Sequence, residues 1–373
     1  MTIALDITDL ISAKRRGRPG PNGVERVTRG LLEAARETGH TAELATLYLD
    51  PARKVRLVDP EQSLALLASN TKVLAEDIGR TAEPGDFGTV LLSGASWIND
   101  RLQHIHAALA HMRPALVPVV HDMIPFTHPQ FVSPHFAEEY RRWIEFAVAS
   151  SRRLLVPSQA SRRSMEQAFP DCAERLRVIP LGVAAGAPDL SIPAAGGEPA
   201  PILYVSSVVP RKNHEMLVRA WRAAFADMRR KDVPPLTIAG SCRWKTALRL
   251  KLLAGPLHGK LHIRGNIEDR ELEGLVRRAC FIVFPSHAEG WGLPVSEALA
   301  RGKTGLVSTA LPEEADQNLL PRLAPDDMAA WAREMRRLAT DAPLRHAREA
   351  DVRRRFRPGR WQDTLSAVLA ACQ

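Results

Sequence analysis

Residues 281–300 read FIVFPSHAEGWGLPVSEALA. Phe281–Phe284 is an uninterrupted apolar run, the pattern of a short strand buried on both faces. Pro285–Gly292 is a turn carrying two glycines, Gly290 and Gly292. Pro294 suits the first turn of a helix, and Val295–Ala300 continues it. A strand, a glycine-bearing loop and a helix start make a site for a diphosphate or a group of sugar hydroxyls. First-turn N–H groups have no intrahelical acceptor there, and the helix dipole favours anions. Glu289 lies in the loop and Glu297 in the first turns of the helix. A carboxylate accepts several hydrogen bonds and so suits vicinal hydroxyls. Either glutamate alone has an ordinary reading, as a solvated loop residue or a helix-dipole partner; the whole set favours a ligand site.

Outward from this stretch, short apolar runs alternate with longer amphipathic ones. Strands are expected at Ile3–Ile7, Glu43–Leu47, Thr89–Leu92, Leu116–Val120, Arg153–Val156 and Arg177–Ile179. A second series follows at Ile202–Val205, Leu236–Ala239, Leu261–Arg264, Phe281–Phe284 and Thr304–Val307. Helices are expected at Val24–Glu37, Ala137–Ser150, His214–Arg229 and Arg270–Arg278. Strands alternating with helices imply parallel sheets with right-handed crossovers. Val183–Pro201, rich in Ala, Gly and Pro, has the composition of a linker. The expected organisation is therefore an α/β domain over 1–185, a linker at 186–200 and a second α/β domain over 201–357. Trp361, Leu365, Val368 and Leu369 recur at helical spacing in a final segment, 358–373, expected to return as a helix to the first domain.

The 373 residues suit two domains with separate cores. No apolar run approaches the ~20 residues of a membrane-spanning helix. The N-terminus reads as a strand rather than a signal peptide, and the four cysteines are far apart with no CxxC pair. Both features fit a cytoplasmic protein with neither a zinc site nor a disulfide framework. The formal charge of +9 is spread along the chain, and aromatics are only 5%, so no nucleic-acid stacking platform is indicated. The basic excess reads first as the composition of an arginine-rich soluble enzyme, then as a match to phosphorylated ligands or an anionic membrane surface, and last to nucleic acid.

Three further segments lie where α/β sheets bind ligands, at the carboxyl ends of strands. Leu203–His214, LYVSSVVPRKNH, places Arg211 and Lys212 after a strand, where two cations suit a pyrophosphate. Arg264–Leu272, RGNIEDREL, brings Asn266 and Ile267 to the next such turn. Val117–Pro125, VPVVHDMIP, ends a strand in His121 and Asp122, and Asp122 reads as a residue that orients loop backbone. Asn22, Gly23 and Arg26 open a helix after a long basic loop, Lys14–Pro21. The glycine fingerprint of a dinucleotide-binding dehydrogenase is missing, since Asp6–Ala13 contains no Gly.

Glu289 and Glu297, seven residues apart in EGWGLPVSE, resemble the EX7E motif of retaining GT-B glycosyltransferases, and the wider string is similar to glycosyltransferase family 4. The resemblance implies two Rossmann-like parallel-sheet domains facing a central cleft and closing on a nucleotide-sugar donor, with Val183–Pro201 as the hinge. It implies that Glu289 and the amides of Gly290, Trp291, Gly292 and Leu293 hold the donor sugar. Glu297 would take the ribose hydroxyls, Arg211 and Lys212 the donor phosphates, and Asn266 and Ile267 the base. His121 resembles the histidine that faces the donor sugar in mannosyltransferase-like members. Asn22, Gly23 and Arg26 fall on the acceptor side. The implied reaction moves a hexose, with mannose from GDP-mannose as leading donor, to a glycan or lipid-linked acceptor of an envelope polysaccharide. No cofactor and no metal are expected, because the Arg-Lys pair supplies the positive charge. The implied location is cytoplasmic, peripheral at the inner face of a membrane, with the basic run Lys14-Arg15-Arg16-Gly17-Arg18 as the contact; the same run reads equally as a gate to the acceptor pocket. A sugar-nucleotide hydrolase or epimerase on the same fold, or a non-catalytic sugar-nucleotide-binding protein, are the alternatives.

Overall fold

The computed structural model describes residues 2–17, 22–69, 79–183, 199–265 and 267–373. It divides into two compact units, 1–184 with 359–373, and 185–358. Most of the segment read as a linker, and Asn266, lie outside the described residues.

In the first unit, β1 (Ile3–Asp6), β2 (Leu44–Leu49), β3 (Val55–Val58), β4 (Arg80–Thr81), β5 (Thr89–Leu92) and β6 (Ala115–Pro118) form one sheet in the order β4-β3-β2-β1-β5-β6. The centre is parallel, and every residue of β1 and β5 is buried, the polar Asp6 and Thr89 at their ends included. The edge departs from the all-parallel expectation, because β3 runs antiparallel to β2 and β4 antiparallel to β3. The cause is a tight turn after β2. Asp50 accepts from the Lys54 N–H at 2.9 Å, and Arg53 takes a left-handed φ of 61°. β7 (Leu154–Val156) and β8 (Leu176–Val178) form a separate parallel pair, joined to the main sheet by a bridge between Val119 and Leu155.

A second difference lies just after β1. Thr8–Arg15 is a helix, so the first two basic residues of the expected loop close that helix instead. The Lys14 ammonium donates to the carbonyls of Leu67 and Ser69. Arg18 lies outside the described residues. The helix carrying Asn22 is therefore the second of the chain, Gly23–Glu37.

The helix Trp361–Cys372 packs within the first unit. Trp361 lies over Gly30 and Gly182, where no β-carbon fits. The Thr364 hydroxyl donates to Pro180 O at 2.7 Å and accepts from the Gly182 N–H at 2.9 Å.

The second unit is a wholly parallel sheet of β9 (Ile202–Val205), β10 (Leu236–Ala239), β11 (Leu261–Arg264), β12 (Phe281–Phe284), β13 (Gly305–Ser308) and β14 (Arg322–Leu323). Its order is β11-β10-β9-β12-β13-β14. Trp221, Trp331, Phe225 and Phe281 fill its core. The helix expected at His214–Arg229 stops at Ala224, whose carbonyl accepts from Arg336 at 2.9 Å while that guanidinium also pairs with Asp227. Among the described residues no helix is long and apolar enough to cross a membrane.

Candidate active site

Each sheet reverses its strand order once, between β1 and β5 in the first unit and between β9 and β12 in the second. Helices diverge to opposite faces at such a point and leave a crevice beyond the carboxyl ends of the strands, the usual ligand position in open α/β sheets. The chemically loaded side chains of each unit gather there.

In the second unit the chain leaves β9 through Pro210–Lys212, a single 3-10 turn, and enters the helix His214–Ala224 at Asn213. Asn213 has φ 58° and is held there by its side-chain amide, which donates to Pro325 O at 2.7 Å and Pro285 O at 3.3 Å. Asparagine is among the few side chains that tolerate this conformation. The turn aims both preceding cations at the loop after β12. Lys212 Nζ lies 2.5 Å and Arg211 Nη1 3.1 Å from Glu289 Oε1. Lys212 Nζ also sits 4.7 Å from the centroid of the Phe284 ring, and Arg211 Nη1 donates to Ala288 O at 3.0 Å. Burial pushes the Glu289 carboxyl up, but Lys212 and Arg211 outweigh it and hold the group below the ordinary carboxylate range. An ionised carboxylate and two cations thus share one small volume.

Gly290, Trp291 and Gly292 follow directly. Gly292 is left-handed, φ 109°, and a β-carbon there would strike Leu311. It opens the helix Leu293–Ala300. Trp291 Nε1 donates to Ser296 Oγ at 3.2 Å, which donates in turn to Ala315 O at 2.7 Å. Glu297 stands further along, half-buried on the second turn of that helix. Ile267 packs against the edge of the core beyond β11.

The structure adds residues that the sequence reading did not single out. A cavity of about 910 Å³ opens beside Pro210 and Asn213 and is lined also by His214, Ser241, Cys242 and Arg243. Its size suits a nucleotide-sized ligand. The available signal was Gly240 after β10, where a β-carbon would meet the Ser206 backbone. His214 Nε2 lies 3.1 Å from Ser206 Oγ; burial and the neighbouring Lys212 charge push its pKa down to about 3.

In the first unit the crevice holds a buried charge cluster, also unforeseen. Arg101 Nη2 donates to Asp9 Oδ1 at 2.7 Å, and the Ala95 N–H donates to Asp9 Oδ2. Asp6 accepts from the Thr8 N–H at 3.0 Å and from its hydroxyl. Arg101 Nη1 and Asp6 Oδ2 are 3.8 Å apart, and neither atom has a hydrogen-bond partner among the described residues. Burial raises Asp6, and the Arg101 charge only partly offsets it. At Asp9 burial acts the same way, but Arg101 wins and the carboxyl is lowered.

His121 lies at the same edge, its ring 6.2 Å from that of Trp97. Nε2 is 2.7 Å from Ser93 O, and a carbonyl only accepts, so Nε2 carries the proton. Burial lowers the pKa of the ring and favours the neutral form, which leaves Nδ1 as an acceptor. Asp122 turns inward to its own loop and accepts from the Ile124 N–H at 3.0 Å. Asn22 serves as an N-cap. Its side chain accepts from the Val24 and Glu25 amides, while Glu25 accepts from the Asn22 N–H at 2.9 Å, a reciprocal capping box. Gly23 faces open space and Arg26 is half-buried on the first helical turn.

Two family models match the chain: Glycosyltransferase Family 4 over residues 21–185 and Glycosyl transferases group 1 over residues 199–341. Among curated proteins it is similar to the O-antigen chain mannosyltransferase B of Escherichia coli, 26% identical over 55% of this chain and 56% of that protein. It is also similar to the serotype-specific mannosyltransferase WbdA of Escherichia coli, 24% identical over 74% of this chain and 35% of that protein. The match thus spans about half of one relative and a third of the other. Among solved structures it is similar to Alr3699/HepE of Anabaena, determined in complex with UDP and glucose, with a TM-score of 0.66 at 15% identity and complete coverage of both chains. WaaG, a glycosyltransferase involved in lipopolysaccharide biosynthesis, gives a TM-score of 0.64 at 14% identity over 99% of this chain and 98% of that one. These likenesses establish the GT-B fold. With a family 4 domain in its first half and a group 1 domain in its second, the chain belongs to the glycosyltransferases.

Proposed function

We propose that the chain is a retaining, metal-independent hexosyltransferase that uses a nucleoside diphosphate sugar, with GDP-mannose as leading donor. The acceptor is a glycan or lipid-linked hydroxyl in assembly of an envelope polysaccharide, at the cytoplasmic face of a membrane. The observation that carries this reading is the meeting of Arg211 and Lys212 with Glu289 beside a glycine-bounded helix start. The names of the mannosyltransferase relatives favour mannose.

In the proposed reaction the acceptor oxygen bonds to the anomeric carbon on the face from which the phosphate oxygen departs. The carbon–oxygen bond to the diphosphate breaks, and the acceptor proton passes to the departing phosphate oxygen. Ahead of the proton, as that carbon–oxygen bond breaks, negative charge grows on the diphosphate. Lys212, Arg211 and the first-turn amides of the helix Leu293–Ala300 are preorganised to meet it, which makes a metal ion unnecessary. Glu289 and the amides of 290–293 hold the sugar, Glu297 the ribose hydroxyls, and Asn266 and Ile267 the base. In the first unit, Nδ1 of His121 receives a sugar hydroxyl, and Asn22, Gly23 and Arg26 border the acceptor.

Thermal-shift titration with GDP, UDP, ADP and dTDP sugars tests the donor. A shift with GDP-mannose is expected; a shift only with another nucleotide overturns that choice. Product anomers read by NMR test retention, and undiminished turnover in a chelator tests metal independence. Steady donor consumption without acceptor would instead favour a hydrolase.

A further inference from the structure

The helix Trp244–Ala254 follows β10 and buries Leu250 and Ala254 against the core. Its opposite face carries Trp244, Leu248 and Leu252, which are 72%, 52% and 72% exposed. Four-residue spacing puts the three on one stripe. At 3.6 residues per turn, Lys251 falls on one flank of that stripe and Lys245 and Arg249 on the other. Lys245 Nζ lies 5.7 Å from the Trp244 ring centroid. The surrounding sequence is one-sided in charge. From Val233 to Ile267 there are six cations (Arg243, Lys245, Arg249, Lys251, Lys260 and Arg264) and no Asp or Glu. Glu215 offsets Arg249 at 2.9 Å, and Glu271 offsets Arg264 at 2.9 Å. The exposed charge flanking the stripe is therefore carried by Arg243, Lys245 and Lys251.

We propose that this helix docks the protein on an anionic lipid surface, with Trp244, Leu248 and Leu252 inserted at the headgroup level and Lys245 and Lys251 against lipid phosphates. A scattered exposed leucine means little, but an apolar stripe bordered by cations on both sides is the pattern of an interfacial helix. The lysine stems lie along the apolar boundary while their ammonium groups reach the phosphates, and the indole ring suits the same depth. Three side chains along about 12 Å of helix fall well short of the roughly 800 Å² per partner of a stable protein interface. The inference deepens the proposed membrane location and moves it away from the Lys14–Arg18 run. Its test uses neither donor nor acceptor, so its failure leaves the transferase reading standing.

The whole chain is sedimented with phosphatidylglycerol vesicles and, separately, with phosphatidylcholine vesicles. Wild type should pellet with the first at low salt and stay in solution with the second. The triple variant Trp244→Gln, Leu248→Gln, Leu252→Gln should bind roughly tenfold or more weakly. The double variant Lys245→Gln, Lys251→Gln should lose roughly fivefold per charge. Both should keep the wild-type circular dichroism and melting temperature, because every substituted side chain is exposed. Arg15→Gln, Arg16→Gln should bind as wild type. The proposal is overturned if wild type stays in the supernatant, if the triple variant pellets undiminished, or if the Arg15, Arg16 variant alone abolishes binding. A wild-type dimer that the triple variant converts to monomer would assign the stripe to a second copy and also overturn it.

Discussion

Lys212 answers to two demands at once. It is 9% exposed, sits over Phe284 and neutralises a buried carboxylate, so its charge serves the fold before any ligand enters. Lys212→Ala should therefore lose about 1–3 kcal/mol of stability, by leaving Glu289 under-partnered, as well as tenfold or more in nucleoside diphosphate affinity. Glu297→Ala, half-buried on the helix Leu293–Ala300, should lose the affinity while the fold survives. Equal nucleotide binding by wild type and both variants, measured calorimetrically, would remove these residues from the donor site. His214 gives a pH signature beside them. Its folded pKa is about 3 against an ordinary 6.5, so the unfolded chain binds the extra proton and stability falls as pH drops through 6.5. Between pH 7 and pH 5 the loss should be about 2 kcal/mol, and the difference between wild type and His214→Gln in urea unfolding should show it. A difference that does not change with pH sinks the assignment. That Glu289, Arg211 and Lys212 share one donor site was legible from the motifs and the resemblance they carry, but their direct ion pairing was not, because 77 residues separate Lys212 from Glu289. Asp9 and Arg101 show the harder case. Each looks like an ordinary helix-start residue, and only the sheet brings them together across 92 positions.

At the scale of elements, the sequence spoke most clearly where strands are buried on both faces. Ile202–Val205, Leu236–Ala239 and Phe281–Phe284 stand out as largely apolar runs because a parallel sheet covered by helices admits little else, whereas Leu261–Arg264, at the edge of the sheet, carries His262 and Arg264 outward. Val55–Val58 was missed because its order depends on the Asp50 turn, and Arg80–Thr81 and Arg322–Leu323 are too short for any periodicity. The helix Thr8–Arg15 was missed for another reason: its N-cap, Ile7, offers no capping side chain. Glycine at the start of the helix Leu293–Ala300 was legible, and the structure explains why the residue is required. Gly292→Ala would place a β-carbon into Leu311 at φ 109° and should cost about 1–3 kcal/mol while displacing the first-turn amides. Gly39→Ala is the control. It also forces a left-handed alanine, φ 75°, but into open space far along the chain from these loops. Both variants should lose stability, and only the first should weaken nucleotide binding. Unaltered nucleotide affinity in Gly292→Ala would show that the helix start does not hold the diphosphate.

At the scale of the molecule, the chain ends in the unit where it began, and one aromatic side chain dominates that return. Trp361 lies against Gly30 of the helix Gly23–Glu37 and against Gly182, at two places where any larger residue would push it out. Thr364 ties the same helix to the backbone at Pro180 and Gly182, and Gln362 donates to Glu37 at 2.6 Å. The helical spacing of Trp361, Leu365 and Val368 was legible; the two glycines that receive the ring were not, since nothing local marks Gly30 as a packing site rather than a weak point in a helix. The helix Gly23–Glu37 also carries Asn22, Gly23 and Arg26 at its opening, so the contact supports an element that borders the proposed acceptor site. Trp361→Ala should therefore destabilise the first unit by about 3 kcal/mol, the usual scale for emptying a tryptophan site. Gly30→Val should do the same from the opposite side of the contact, and combining the two should cost less than their sum, because each relieves part of what the other disturbs. Chemical denaturation of the four proteins in this cycle measures the coupling. Strict additivity would mean that Trp361 does not rest on Gly30 and that the terminal helix is held by its polar ties alone.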